Sequence, residues 1–272
     1  VTKARWRAHH GGGNGSAAEE ARRTSARRLS MRYAAGLAGA HLLAVGDAAA
    51  IVIPLHGQTA IGAYAYFGAK NMITAAVLVV LGAIGVAVGG ATILAPVLRW
   101  FVRGDQPNPG QRRAVTRLVR RQSLILAATW AASGVIFLAL NLDGGLTLAV
   151  ATLLAVVFGG SAASGLSLLL TQPSLRPILV AATQGSEGVV IAPRVLTRLV
   201  GMWLMGCGLP CVAIVALIVI RSNGWIIQKT ASVEMPILVV TLAAVLLGLP
   251  TMILTSRSIS DPVREVVDAM AQ

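Results

Sequence analysis

Six apolar runs dominate this chain, at about Gly36–Leu55, Met72–Leu98, Ser123–Leu142, Leu146–Thr171, Leu199–Ile220 and Met235–Thr255. Each is near the ~20 residues that a helix needs to cross ~30 Å of hydrocarbon. No water reaches backbone N–H and C=O groups inside a bilayer, so runs of this kind must be helices, which pair their own backbone. The expected fold is therefore all-α: a polytopic membrane protein with six transmembrane helices. Three regions follow: a basic N-terminal tail (1–35), the membrane domain (36–256) and a C-terminal helical stretch (257–272).

Composition agrees. Only 12% of residues are charged, against about a quarter in soluble domains, and mean hydropathy is +0.75. The net charge of +13 first suggests nucleic acid, but the basic residues border the apolar runs instead of forming one patch, so no nucleic-acid partner is expected. The two cysteines lie inside an apolar run and imply no disulfide framework. The first run begins only near Gly36 and holds Asp47 in its middle. It reads as a retained anchor and not as a secretory leader.

Lys and Arg give the orientation. Eight lie in the tail, seven in 99–122, three in 172–198 and two after residue 256, twenty in all. The opposite side has three: Lys70, Arg221 and Lys229. The positive-inside rule then places both termini in the cytoplasm, the bilayer being the plasma (inner) membrane. The outside connections, roughly 56–71, 143–145 and 221–234, are too short to fold as a ligand-binding domain. A sensed ligand would be lipid-like or small and would act within the bundle or at these loops. The basic segment 21–33 reads either as a surface helix on anionic headgroups or as ordinary topology signal.

Three exits resemble one another: Pro96-Val-Leu-Arg99, Pro173-Ser-Leu-Arg176 and Pro262-Val-Arg264. Thr116-Arg-Leu-Val119 and Thr197-Arg-Leu-Val200 are identical. These read as three helical hairpins, a repeat, or as helix ends made alike by the positive-inside rule.

Few residues carry candidate chemistry. A charge at Asp47 costs roughly 2.5–3.5 kcal/mol at a helix centre, so it should face the bundle interior. It is a ligand contact, a cation site or a proton-linked switch, or else a protonated acid bonded to Thr129 or Ser133. His41, a second ligand or switch candidate, lies six residues earlier, about 240° round the helix, and does not share its face. Cys207 and Cys211 share one face, and with His41 they would suit a soft metal. No fourth ligand is evident, so no metal site is expected. Gly85 and Gly89, and Gly160, Ser161, Ser164 and Gly165, make faces for close helix approach. Pro210 and Pro250 should kink the fifth and sixth helices, with Pro250 a candidate hinge. Trp100 and Trp225 fit interfacial anchors. No Walker loop, paired-carboxylate, Ser-His-Asp or H-E-x-x-H pattern is present. A transporter with Asp47 as coupling site remains an alternative, although it leaves the C-terminal pattern unexplained.

That pattern is a seam. Ile259, Val263, Val266 and Met270 recur at spacings of 4, 3 and 4, as in a parallel coiled coil. Pro262 sits in the first turn, where its missing N–H would be unpaired anyway. A two-heptad apolar seam in water implies a homodimer.

The stretch from Ser258 to Met270 resembles the first helix of a HAMP domain, with Pro262 at the usual proline. Six spans, cytoplasmic termini and an Ala/Arg-rich composition ahead of such a helix resemble the mycobacterial class III adenylate cyclases with six-helix membrane domains. The resemblance implies a downstream domain that makes cAMP from ATP with two divalent metals, Mg or Mn, at a dimer interface. The match covers about 15 residues. The chain carries no connector, second HAMP helix or cyclase domain, so no catalytic residue and no cofactor carries over to any position here. HAMP also serves histidine kinases and chemoreceptors, which stand as the alternative outputs. Signal transmission would run through Pro250, Ile259, Pro262, Val263, Val266 and Met270.

Overall fold

A computed structural model of the chain describes residues 12–55, 58, 69–183, 200, 203–246, 248–249, 252–253 and 256. Among them there is no β-strand. Helix α1 spans Gly12–Val52 and closes in a 3-10 turn, Ile53–Leu55. Helix α2 is Ala69–Arg103, α3 Pro109–Ala139 and α4 Gly145–Thr183. A π-turn, Leu204–Gly208, leads into α5, Leu209–Asn223, and α6 is Glu234–Leu246. Five stretches are long and apolar enough to cross a membrane: Arg23–Leu55, Ala69–Arg103, Pro109–Ala139, Leu142–Ala182 and Gly206–Asn223. The described residues are thus all-helical, and their five long apolar helices are consistent with a multi-pass membrane protein. Only part of the sixth apolar run falls within the described residues.

Local chemistry sets the helix ends. The Asn108 side chain accepts from the Gln111 N–H, and the Gln111 side chain accepts from the Asn108 N–H, a capping box with Pro109 in the first turn. Gly104 (φ +72°) and Gly224 (φ +68°) stop α2 and α5 in the left-handed region, where a Cβ would be strained.

Helices α1 to α4 close a ring in which α1 packs on α2 and α4, and α3 packs on the same two. Helices α1 to α4 therefore share one core, and α5 touches it through α4. The ring is longer than a bilayer: 35 residues of α2 correspond to ~50 Å at 1.5 Å per residue. The excess lies at the arginine-rich end. Segments 99–103, 109–122 and 172–183, expected as connections, continue the helices. Val115 and Leu118, three apart on α3, and Leu175 and Ile178, three apart on α4, extend the core there.

Two expectations change as a result. Trp100 is no interfacial anchor: it is buried in this extension, edge-on to Phe101 at 6.0 Å. The basic segment 21–33 does not lie on the surface as a separate helix, because it is one continuous helix with the rest of α1. Trp225, by contrast, is exposed near the opposite end.

Close approach uses glycines. Gly36 sits against the Leu170 carbonyl, Gly90 against Leu37, Gly89 against Ile125, and Gly159 and Gly160 against Trp130. Gly85, expected at an interface, is exposed, with no neighbour within 4 Å of a built Cβ. An all-round apolar helix does not reveal its buried face, and the packed glycines of α2 are Gly82, Gly89 and Gly90.

A second apolar cluster, Leu55, Ile226, Ile227, Ala231 and Val233, joins the end of α1 to the α5–α6 connection. Gln58 pins it. Its carbonyl accepts from the Gln228 N–H (2.9 Å), and its Oε1 accepts from the Ser232 N–H (2.7 Å).

Candidate functional site

The four-helix ring holds a polar cluster near its basic end. Tyr33 Oη donates to Gln122 Oε1 (2.9 Å). Gln122 Nε2 donates to Ser167 Oγ (2.8 Å) and Thr171 Oγ1 (3.2 Å). All four side chains are fully buried. Ser167 Oγ donates to the Ser164 carbonyl and Thr171 Oγ1 to the Ser167 carbonyl, both at 2.7 Å. Gln122 thereby ties α1, α3 and α4 together, with both of its amide donors and its carbonyl engaged. Interhelical bonds of this kind are worth roughly 0.6–2 kcal/mol each in membrane bundles.

Sequence reasoning missed this cluster. Gln122 stands one residue before the third apolar run and directly after Arg120-Arg121, so hydropathy alone assigns it to a connection. The available signal was spacing: Ser167 and Thr171 are four apart on α4, at the same end of their run as Tyr33 and Gln122 are of theirs.

His41 is buried in the middle of the ring. A Cβ built on Gly82 would lie 2.7 Å from His41 Nε2, and the Trp130 ring meets the imidazole edge-on at 5.8 Å. The imidazole approaches the Val79 backbone, but neither ring nitrogen reaches normal hydrogen-bond geometry among the described residues. A buried imidazole so placed costs free energy.

Asp47 is half-buried and makes no hydrogen bond among the described residues. The expected bond to Thr129 is not formed, because that hydroxyl donates to the Ile125 carbonyl (2.9 Å). Ser133 does not bond Asp47 either. The structure does not bring Asp47 and His41 into one site.

Cys207 and Cys211 are free, exposed thiols. The described residues contain no His, Cys, Asp or Glu grouping able to hold a metal, and His41 is not near them in such a group. Pro210 follows the π-turn Leu204–Gly208: Pro has no N–H for the preceding turn, and a wide turn absorbs the mismatch. Pro250, Ile259, Pro262, Val263, Val266 and Met270 lie outside the described residues. A groove of about 480 Å³ runs along the basic end of α4, lined by Pro173, Arg176, Pro177, Val180 and Ala181. It is open, with one charged group and no converging polar set.

Comparison with family models, curated proteins and solved structures finds no match to this chain.

Proposed function

We propose that the chain is the membrane region of a dimeric, receptor-type adenylate cyclase. It sits in the plasma (inner) membrane with six spans and both termini cytoplasmic. The observation that carries this reading is the C-terminal stretch from Ser258 to Met270, with its 4-3-4 apolar seam and Pro262 in the first turn. The all-helical bundle supports it, as does the arginine-rich end, which the positive-inside rule assigns to the cytoplasm.

In this reading α6 carries the signal. A lipid-like or small ligand shifts the helices, and α6 rotates, tilts or slides the coil at Pro262. A downstream domain then converts ATP to cAMP with Mg or Mn at its dimer interface. The membrane region supplies position and regulation and no catalytic residue. The same membrane region joined to a histidine kinase or chemoreceptor output is the second reading, because the HAMP-like stretch serves each equally.

The test is cAMP formation by the complete gene product in membranes, given ATP with Mg²⁺ or Mn²⁺. Formation of cAMP supports the cyclase reading. Inactivity with both metals overturns it, and the coding sequence downstream of residue 272 then decides between the other outputs.

A further inference from the structure

The face that α6 turns away from its own bundle has a definite phase. Val233, Pro236 and Val240 are buried against the protomer, and Ile237 packs on the second apolar cluster. Met235, Leu238, Leu242 and Val245 of α6, and Leu249 and Met252 in the helical residues beyond it, are exposed, from 54% to 74%, with Leu246 and Ile253 exposed on one flank of the same face. The spacings from Met235 to Met252 are 3, 4, 3, 4 and 3.

That series has the register of the C-terminal seam. Stepping from Met252 by 4, 3, 4, 3 and 4 reaches Ser256, Ile259, Val263, Val266 and Met270. Ser256 is exposed and helical. Writing Met235 as position a of a heptad puts every one of these residues at a or d. The buried residues fall at b, c and f, on the opposite side. The charged residues after the membrane, Arg257, Asp261, Arg264, Glu265 and Asp268, also fall at b, c and f.

An exposed apolar face inside a bilayer does not by itself need a partner, since lipid tails cover it as well as leucine does. The agreement of phase is what points to a protein. Burial against the bundle sets one phase, and the apolar spacing of residues in water sets the other. An apolar seam in water requires a partner helix.

We infer that the exposed face of α6 packs in the membrane on the same face of a second copy of this chain. The two helices run parallel about a two-fold axis, and their seam continues into the C-terminal coil. Pro236 and Pro250 stand at b positions, off the seam. The inference rests on the dimeric reading of the C-terminal stretch and adds to it a membrane interface, whatever the output domain.

Disulfide mapping tests it. Cys207 and Cys211 are first replaced by alanine in the complete gene product, so that no native thiol competes. Single cysteines then replace Leu242, Val245 and Leu249 on the seam, Ala243 and Ala244 off it, and Val266 beyond the membrane. Each variant is oxidised in native membranes after thermal unfolding shows parent-like stability. Covalent dimer at 242, 245 and 249, with little at 243 and 244, is the expected result. Dimer at 266 with none or a flat profile on α6 overturns the membrane interface and leaves the dimeric coil standing. Dimer at none of the positions overturns both. Dimer on α6 without dimer at 266 supports the membrane interface and counts against the coil.

Discussion

Tyr33 Oη donates a 2.9 Å hydrogen bond to Gln122 Oε1, across 89 positions of chain. The bond joins α1 to α3 where the ring passes from its apolar middle to its arginine-rich end. Tyr33→Phe removes one buried bond but leaves Gln122 paired with Ser167 and Thr171, so it should destabilise by about 1 kcal/mol. Gln122→Ala strips the partner from three side chains on two other helices at once and leaves the Tyr33 hydroxyl buried and unpaired. It should cost more, about 1–3 kcal/mol. Thermal unfolding in detergent or lipid nanodiscs measures both, and equal effects would argue against Gln122 as the tie.

Gly82 and Gly85 make a matched pair on α2. A Cβ at Gly82 meets His41 Nε2 at 2.7 Å, whereas one at Gly85 meets nothing within 4 Å. Gly82→Ala should therefore destabilise by about 1–3 kcal/mol through overpacking. Gly85→Ala should be neutral or stabilising by up to about 1 kcal/mol, from helix propensity. Combining Gly82→Ala with His41→Ala should recover part of the first loss. Unfolding midpoints of Gly82→Ala, Gly85→Ala, His41→Ala and the double variant check the set.

Gln58 holds the far end of the bundle to the α5–α6 connection. Its Oε1 is the acceptor for the Ser232 N–H. Gln58→Ala should release that amide, and a loss of about 1.4 kcal/mol would speed its hydrogen exchange about tenfold. Exchange in the ring, at Leu126 for example, should not change. Mass-spectrometric exchange on nanodisc-embedded protein separates the two regions.

Asp47 makes no hydrogen bond or ion pair among the described residues, although it lies within a helix long and apolar enough to span a membrane. Removing the acid should lighten insertion by an amount approaching the roughly 2.5–3.5 kcal/mol assigned to a mid-helix aspartate. Asp47→Ala should thus unfold at or above the parent temperature. A clear drop would show that Asp47 has a structural partner.

Much of the fold was legible because bilayer chemistry leaves few choices. Twenty apolar residues in a row mean a helix, and five of the six runs are helices of spanning length among the described residues. What stayed hidden follows from the same physics. Hydropathy falls where Arg99, Arg117 and Arg176 enter, so the helical extensions at that end looked like connections. Their buried stripe, Trp100, Val115, Leu118 and Ile178, is visible only as spacing. Helices apolar all round do not show which glycine is packed, which is why Gly85 stands beside Gly89 in the sequence reading and Gly82 is absent from it. Gln122 was hidden by its arginine neighbours, and its role depends on Tyr33 and Thr171 arriving from two other helices. The 4-3-4 spacing of Ile259–Met270 lies outside the described residues, and the outward face of α6 could not be chosen from sequence, because only the burial of Val233, Pro236 and Val240 marks its inner side.

The most direct measurement is cAMP formation by the complete gene product in membranes, compared with its Val266→Glu variant. Val266 stands in the seam, where a buried carboxylate would split the coil. The expected result is cAMP from the parent with Mg²⁺ or Mn²⁺ and a loss of at least about tenfold in the variant, the equivalent of 1.4 kcal/mol. A parent that forms no cAMP contradicts the cyclase reading, and an unchanged variant contradicts the coil as the route of the signal.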